Sequence, residues 1–236
     1  MPLHRALTNS FVRRLSIVSL SAMALTYGAV RLVNASESTP SAAAFPDPAT
    51  DVSMVANSEE QTAVFAGGCF WGMEGVFEHL RGVSEVVTGY SGGSSESAHY
   101  EAVSAGATDH AEGIKITYDP SQISYGQLLK VFFAVAHDPT QLNRQGPDVG
   151  PQYRSAIFFT NDEQKQVAES YISQLDEAQL FDEPIVTELA PLDEFYAAED
   201  YHQDFIARNP YNMYVVVHDL PQIERLKEEF PELYQE

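Results

Sequence analysis

The glycine pair Gly67-Gly68 sets the tightest constraint on how this chain folds. Thr62–Ala66 before it is short and apolar, a candidate buried strand, and two glycines let the backbone turn sharply. Beyond it Met73, Val76, Phe77 and Leu80 fall at i, i+3, i+4 and i+7, one face of a helix that starts near Cys69. A strand, a sharp turn and a helix therefore place Cys69 at a helix N-terminus. Unpaired N–H groups and the helix dipole stabilise a thiolate there. Cys69 is the only cysteine, so neither an intrachain disulfide nor a cysteine-based zinc cluster can form within one chain. A lone thiol is either a small buried hydrophobe or a reactive group, and its place at a helix start speaks for the second.

Strands and helices continue to alternate downstream. Val83–Thr88 reads as a strand after Gly82, and Gly92-Gly93 with the following serines as a flexible loop. Ile114, Ile116 and Tyr118 alternate with Lys115 and Thr117, a half-buried strand closed by the turn Asp119-Pro120. Ser124 with Gln127 forms a capping box for a helix carrying Leu128, Phe132 and Val135. Asp138 to Gln152 is a long loop, a kind often functional. Ala156–Phe159 is a strand, Thr160 with Glu163 caps a helix with Val167, Tyr171 and Leu175, and Ile185–Leu189 is a further strand. The C-terminal part reads as helix and loop. No clean βαβ series emerges, so the expected class is α+β. The expected architecture is a mixed sheet with helices packed on it, a two-layer α/β sandwich of the ferredoxin-like plait kind.

The ends differ in character. Arg5, Arg13 and Arg14 precede a mostly apolar run of 16 residues, Leu15 to Val30, and residues 1–35 hold no Asp or Glu. That is the size of a signal-peptide core and short for a membrane span. Val33-Asn34-Ala35 offers a cleavage site, while Arg31 speaks for an uncleaved anchor. Residues 1–35 are thus expected to be a signal peptide or anchor. Residues 36–60, rich in Ser, Ala, Pro, Asp and Thr, are expected to be a disordered linker. Residues 61–236 are the expected catalytic domain. The location follows: exported, periplasmic or membrane-anchored facing outside the cytosol. The 236 residues carry a net charge of −21, which argues against nucleic acid and against anionic membrane surfaces as partners.

Gly67-Gly68-Cys69-Phe70-Trp71-Gly72 is a far rarer string than any of its members. Gly89-Tyr90-Ser91-Gly92-Gly93, His110-Ala111-Glu112, Tyr118-Asp119-Pro120, His137-Asp138-Pro139-Thr140-Gln141, Arg144-Gln145-Gly146, Gln152-Tyr153-Arg154-Ser155-Ala156 and Ala198-Glu199-Asp200-Tyr201-His202-Gln203 follow in order. From about Val64 to Pro210 the chain resembles the A-type peptide methionine sulfoxide reductases. The resemblance implies an enzyme that reduces the S epimer of protein-bound or free methionine sulfoxide. It implies Cys69 as nucleophile, Phe70 and Trp71 as aromatic walls for the thioether methyl, and Glu112 as the acid that protonates the sulfoxide oxygen. Tyr100 and Tyr153 are implied as hydroxyls bonding that oxygen, and Asp148 as a carboxylate in the polar part of the site. These types suit the chemistry. A sulfoxide is a poor electrophile, so its oxygen must gain a proton as the thiolate attacks sulfur. An acid does this at neutral pH only if burial raises its pKa.

Many members of that family hold further cysteines that resolve the sulfenic acid and draw on thioredoxin; this chain has none. The sulfenic acid expected at Cys69 therefore needs an external thiol reductant: thioredoxin, a glutathione-linked partner, or dithiothreitol in vitro. No bound cofactor and no metal are expected, and the chain is expected to be a monomer. His110, His137 and His202 lack the spacing of a metal motif and read as structural. Two other readings stay open on the residues alone. One is a thiol peroxidase or Cys–His hydrolase; the other is a non-catalytic binding module for oxidised proteins.

Overall fold

The computed structural model describes residues 40–52 and 59–236. The expected signal peptide or anchor lies outside the described residues. Among those described, no helix is long and apolar enough to cross a membrane.

Strand β1 (Gln61–Gly67) runs through the centre of a sheet and is followed by helix α1 (Phe70–Glu78). Strand β2 (Val83–Ser91), the short helix α2 (Tyr100–Ser104) and strand β3 (Ala111–Tyr118) come next. Helix α3 (Tyr125–Val131) carries on into a wider turn at Phe132–Ala136. A small hairpin, β4 (Arg144–Gln145) and β5 (Asp148–Val149), precedes strand β6 (Ser155–Phe159) and helix α4 (Asp162–Ala178). Strands β7 (Glu188–Pro191) and β8 (Phe195–Ala197), helix α5 (Phe205–Arg208) and helix α6 (Leu220–Glu229) complete the domain. The sheet order is β7-β6-β1-β3-β2-β8. Its pairs are antiparallel except β6–β7, which is parallel, so the sheet is mixed.

Side chains on a strand alternate between faces, and β1 is buried on both. Ala63 and Phe65 join the main core with Phe77, Tyr125 and Phe132, while Val64 and Ala66 pack with Ala111, Ala156 and Phe158 in a smaller cluster. From Ala63 on the strand has no wet face, which explains the uninterrupted apolar run at 63–66. The helices bring the larger cluster, and the fold is α+β as the alternation of elements predicts.

The structure departs from the sequence reading in four places. Residues 40–52, expected to belong to a structureless linker, lie packed on the domain. Ala42 and Phe45 are buried, Phe45 meets the Phe181 ring edge-on, and the Tyr171 hydroxyl donates to the Pro46 carbonyl. A segment poor in charge contains enough apolar surface to dock even without periodicity. The cap of α4 is Asn161, whose side chain accepts from Gln164 N at 2.9 Å, not Thr160 with Glu163. Gln164 is buried and also donates to Thr62 O, so tertiary contact fixes the helix start. The strand expected at Ile185–Leu189 lies at Glu188–Pro191, registered against Ala156–Phe159. The C-terminal part, read as helix and loop, also supplies β8, whose Phe195–Ala197 pair with Gly89–Ser91 on the β2 edge.

Candidate active site

Gly68 takes φ +103°, and a Cβ there would come within 2.6 Å of the Gln145 side chain. Only glycine makes this turn without strain. Cys69 then becomes the N-cap residue of α1, as its sequence position predicts, with Phe70 buried and Trp71 half-buried on the first turn. Phe205 stacks on the Trp71 ring at 3.6 Å and 6°, and the indole Nε1 donates to His202 Nδ1 at 3.2 Å. Tyr214 meets the same indole edge-on. The aromatic wall is thus clamped by a hydrogen bond and a stack, which fixes its orientation.

Glu112 enters from β3, opposite Tyr90 of β2, and is buried. One of its oxygens accepts from Phe70 N at 3.4 Å. Tyr100 opens α2, Tyr153 follows the β4–β5 hairpin, and Asp148 sits on that hairpin. Together Cys69, Phe70, Trp71, Tyr100, Glu112, Asp148, Tyr153 and Tyr214 line a cavity of about 160 Å³. Seven of the eight are the residues singled out from the sequence. The eighth, Tyr214, donates its hydroxyl to Asp148 Oδ2. As one of twelve tyrosines, in a segment without a recognisable motif, it gave no signal.

The electrostatics divide between acid and thiol. Burial lifts the Glu112 pKa to about 8, with the Phe70 N–H pulling it down and Asp148 adding to the rise. Glu112 therefore carries its proton at neutral pH. Cys69 does not behave as its helix position alone predicts. Burial pushes the thiol well above its usual value and the neighbouring Glu112 adds to this, against a smaller stabilisation of the thiolate by Trp71 N–H. Desolvation outweighs a single N–H. Burial also raises Tyr100 and Tyr153, with Glu112 as the next contributor to both, so both hydroxyls remain donors.

The sequence and the fold agree with known proteins. The family model described as peptide methionine sulfoxide reductase matches residues 61–233. The chain belongs to this family. It is 58% identical over 193 residues to the peptide methionine sulfoxide reductase MsrA 2 of Synechocystis sp., covering 81% of this chain and 90% of that one. It is 50% identical to the MsrA of Natronomonas pharaonis over 72% of this chain and 96% of the other. Among solved structures, reduced Mxr1 of Saccharomyces cerevisiae superposes with a TM-score of 0.60 at 31% identity, covering 68% of this chain and 94% of that one. Methionine sulfoxide reductase A of Corynebacterium diphtheriae gives 0.56 at 34%, covering 72% and 85%.

In this reductase fold the three histidines have distinct surroundings. His137 is saturated: Nδ1 pairs with Phe132 O at 3.0 Å and Nε2 with Ser155 Oγ at 2.7 Å. Burial lowers its pKa to about 4, so it is neutral and structural. His110 Nε2 pairs with Ser94 O, and its Nδ1 has no partner among the described residues. His202 orients Trp71, a positioning role that the sequence segment 198–203 did not disclose. Among the described residues no group of three His, Cys, Asp or Glu side chains is placed to hold a metal ion.

Proposed function

We propose that this chain reduces the S epimer of methionine sulfoxide, protein-bound or free, to methionine. The observation that carries the reading is one cavity in which a free thiol, an aromatic clamp and a protonated carboxyl converge. The thioether methyl sits against Phe70 and Trp71, and the sulfoxide oxygen faces Glu112 with the Tyr100 and Tyr153 hydroxyls. As Cys69 Sγ attacks, Glu112 gives its proton to the oxygen. The bond that Sγ makes to the substrate sulfur and the substrate's own S–O bond both break as the hydroxyl passes to Sγ, and methionine leaves. The thiol proton returns to Glu112, so Cys69 becomes a sulfenic acid with no net change in protons. A neutral Glu112 also removes the negative charge that opposes thiolate formation.

No bound cofactor enters this sequence, and electrons come from an external thiol: thioredoxin, a glutathione-linked protein or a small thiol. The absence of a second cysteine supports this reading. The reading takes the chain as a monomer. The basic, acid-free leader and its apolar run support export to the periplasm or an outward-facing anchor. The order β6-β1-β3-β2 with α1 after β1 and α3 after β3 supports reading the central four strands as a ferredoxin-like plait. The two edge strands are then additions to it.

The deciding experiment incubates the full chain with the separate S and R epimers of a methionine sulfoxide peptide and dithiothreitol, beside Cys69→Ser. Loss of the S epimer alone, abolished in the variant, is expected. Turnover of neither epimer by folded protein refutes the reading and points to a peroxidase or a binding module.

A further inference from the structure

Cys69 faces a second, smaller space. A chamber of about 90 Å³ adjoins the sulfoxide cavity, and the two share only Cys69 and Tyr214 among their lining residues. Its other walls include Gln145 and Pro147 from the hairpin and Asp219 and Gln222 from the start of α6. Asp219 is 3% exposed and packs on the first turn of α1. A Cβ added at Gly72 would lie 2.8 Å from Asp219 Oδ1 and 2.8 Å from Gln222 Oε1. Asp219 Oδ2 and Gln222 Oε1 are both buried with no hydrogen-bond partner among the described residues. A buried acceptor without a donor costs free energy, so such a pair marks a place that receives one.

We infer that this chamber admits the external thiol that regenerates Cys69, and that Asp219 takes the proton from that thiol. The inference rests on the reductase reading above. Cys69 Sγ acquires its oxygen in the aromatic cavity, and displacement at sulfur runs in line. The next nucleophile therefore approaches Sγ away from the new S–O bond, and the Asp219 chamber opens on a different side of the same sulfur. The incoming thiol gives its proton to Asp219, and its sulfur forms an S–S bond with Sγ. The S–O bond breaks, and the departing hydroxide takes the Glu112 proton and leaves as water. A second thiol then opens the mixed disulfide. Two thiols are oxidised to one disulfide and Cys69 is reduced to the thiol, while Asp219 releases the proton it took and Glu112 regains the one it gave.

Size and charge agree with this role. At about 30 Å³ per water the chamber holds roughly three waters, enough for the sulfhydryl end of a slender thiol and too little for the sulfoxide substrate. Burial, with Asp148 adding to it, lifts Asp219 to about 7, which suits a group that takes and returns a proton near neutrality. When ionised, Asp219 favours a cationic thiol over an anionic one.

The test uses the full chain and its Asp219→Asn variant, an isosteric change. Each is oxidised by a methionine sulfoxide peptide without thiol, and the methionine released tests the reductase reading by itself. Oxidised Cys69 is then reduced at pH 8 with cysteamine or with mercaptoacetate, and free thiol is titrated against time. The cysteamine-to-mercaptoacetate rate ratio should fall roughly tenfold in Asp219→Asn, the scale expected for removal of one unit charge at close range. An unchanged ratio, or a parallel slowing of methionine release and regeneration, overturns the assignment. If the unaltered chain releases no methionine, the reductase reading fails. The ratio measured on Cys69 oxidised with hydrogen peroxide then still decides the chamber.

Discussion

The interior around Glu112 and the interior around Glu74 are alike in charge and burial. Glu112 on β3 is 2% exposed and Glu74 on α1 is 1% exposed, and burial lifts both carboxyls to about 8. Their surroundings differ. Glu112 accepts one long bond, from Phe70 N, and the rest of its carboxyl faces the cavity. Glu74 accepts from Asp204 N at 3.1 Å and Phe205 N at 3.2 Å. It pins the start of α5 and with it the ring that stacks on Trp71. A raised pKa thus reports burial, and only access to an open cavity turns it into chemistry. In the proposed reaction Glu112 faces the reacting atoms, whereas Glu74 acts only by holding the ring behind Trp71.

The sharpest way to break this comparison is to remove the proton but keep the shape. Glu112→Gln should lower methionine release roughly 10²- to 10⁴-fold, the usual contribution of a general acid, with folding retained. A fall of less than about tenfold would leave proton delivery to another group and dissolve the distinction. Glu74→Ala should do the reverse. Two N–H groups lose a buried acceptor, so urea denaturation should show a loss of about 1–3 kcal/mol. Activity should fall less than in Glu112→Gln, because Phe205 loosens behind Trp71 while the acid remains. A stable Glu74→Ala protein with activity as low as Glu112→Gln would make Glu74 part of the chemistry.

The same contrast separates the parts of the molecule that are legible in the sequence from those that are not. The Gly67–Trp71 turn is local: glycine φ, helix start and thiol all follow from five consecutive residues. Glu112, Tyr100, Tyr153 and Asp148 come from scattered segments, and they are legible through the family resemblance, since each alone passes for a surface acid or one tyrosine among many. Tyr214 and Asp219 are not legible. Only the return of the C-terminal helix across α1 brings them beside Cys69. The strand pattern is readable where side chains alternate or run apolar. Strand β8 is not, because its three residues are held by edge pairing with β2 and not by their own apolar pattern. The packed stretch 40–52 escapes for a similar reason: composition describes a segment by its average, and here Ala42 and Phe45 carry the docking.

Both buried acids also bear on stability against pH. The unfolded chain loses these protons near the ordinary value of 4.5, while the folded chain keeps them to about 8. Between those limits the folded state binds more protons, so stability must fall as pH rises. Glu112→Gln and Glu74→Gln should each flatten the decline of Tm between about pH 5 and pH 8, and the double variant should flatten it further. A variant slope as steep as that of the unaltered chain would show that these carboxyls are ionised in the fold at neutral pH.

Asp51 supplies the smallest and most discriminating case. It too covers a helix start, accepting from Gly126 N at 2.8 Å and from the Ser124 hydroxyl on the first turn of α3, but it is exposed. The acceptors differ, not the donors: Asp51 is exposed, so water replaces its carboxylate at the helix start, whereas removal of the buried Glu74 leaves a space closed to water. Asp51→Ala should therefore cost only about 1 kcal/mol in urea denaturation, as a surface cap does, and leave methionine release unchanged. If it costs as much as Glu74→Ala, the count of N–H groups sets the penalty and burial does not. The contrast between the two interiors would then rest on cavity access alone.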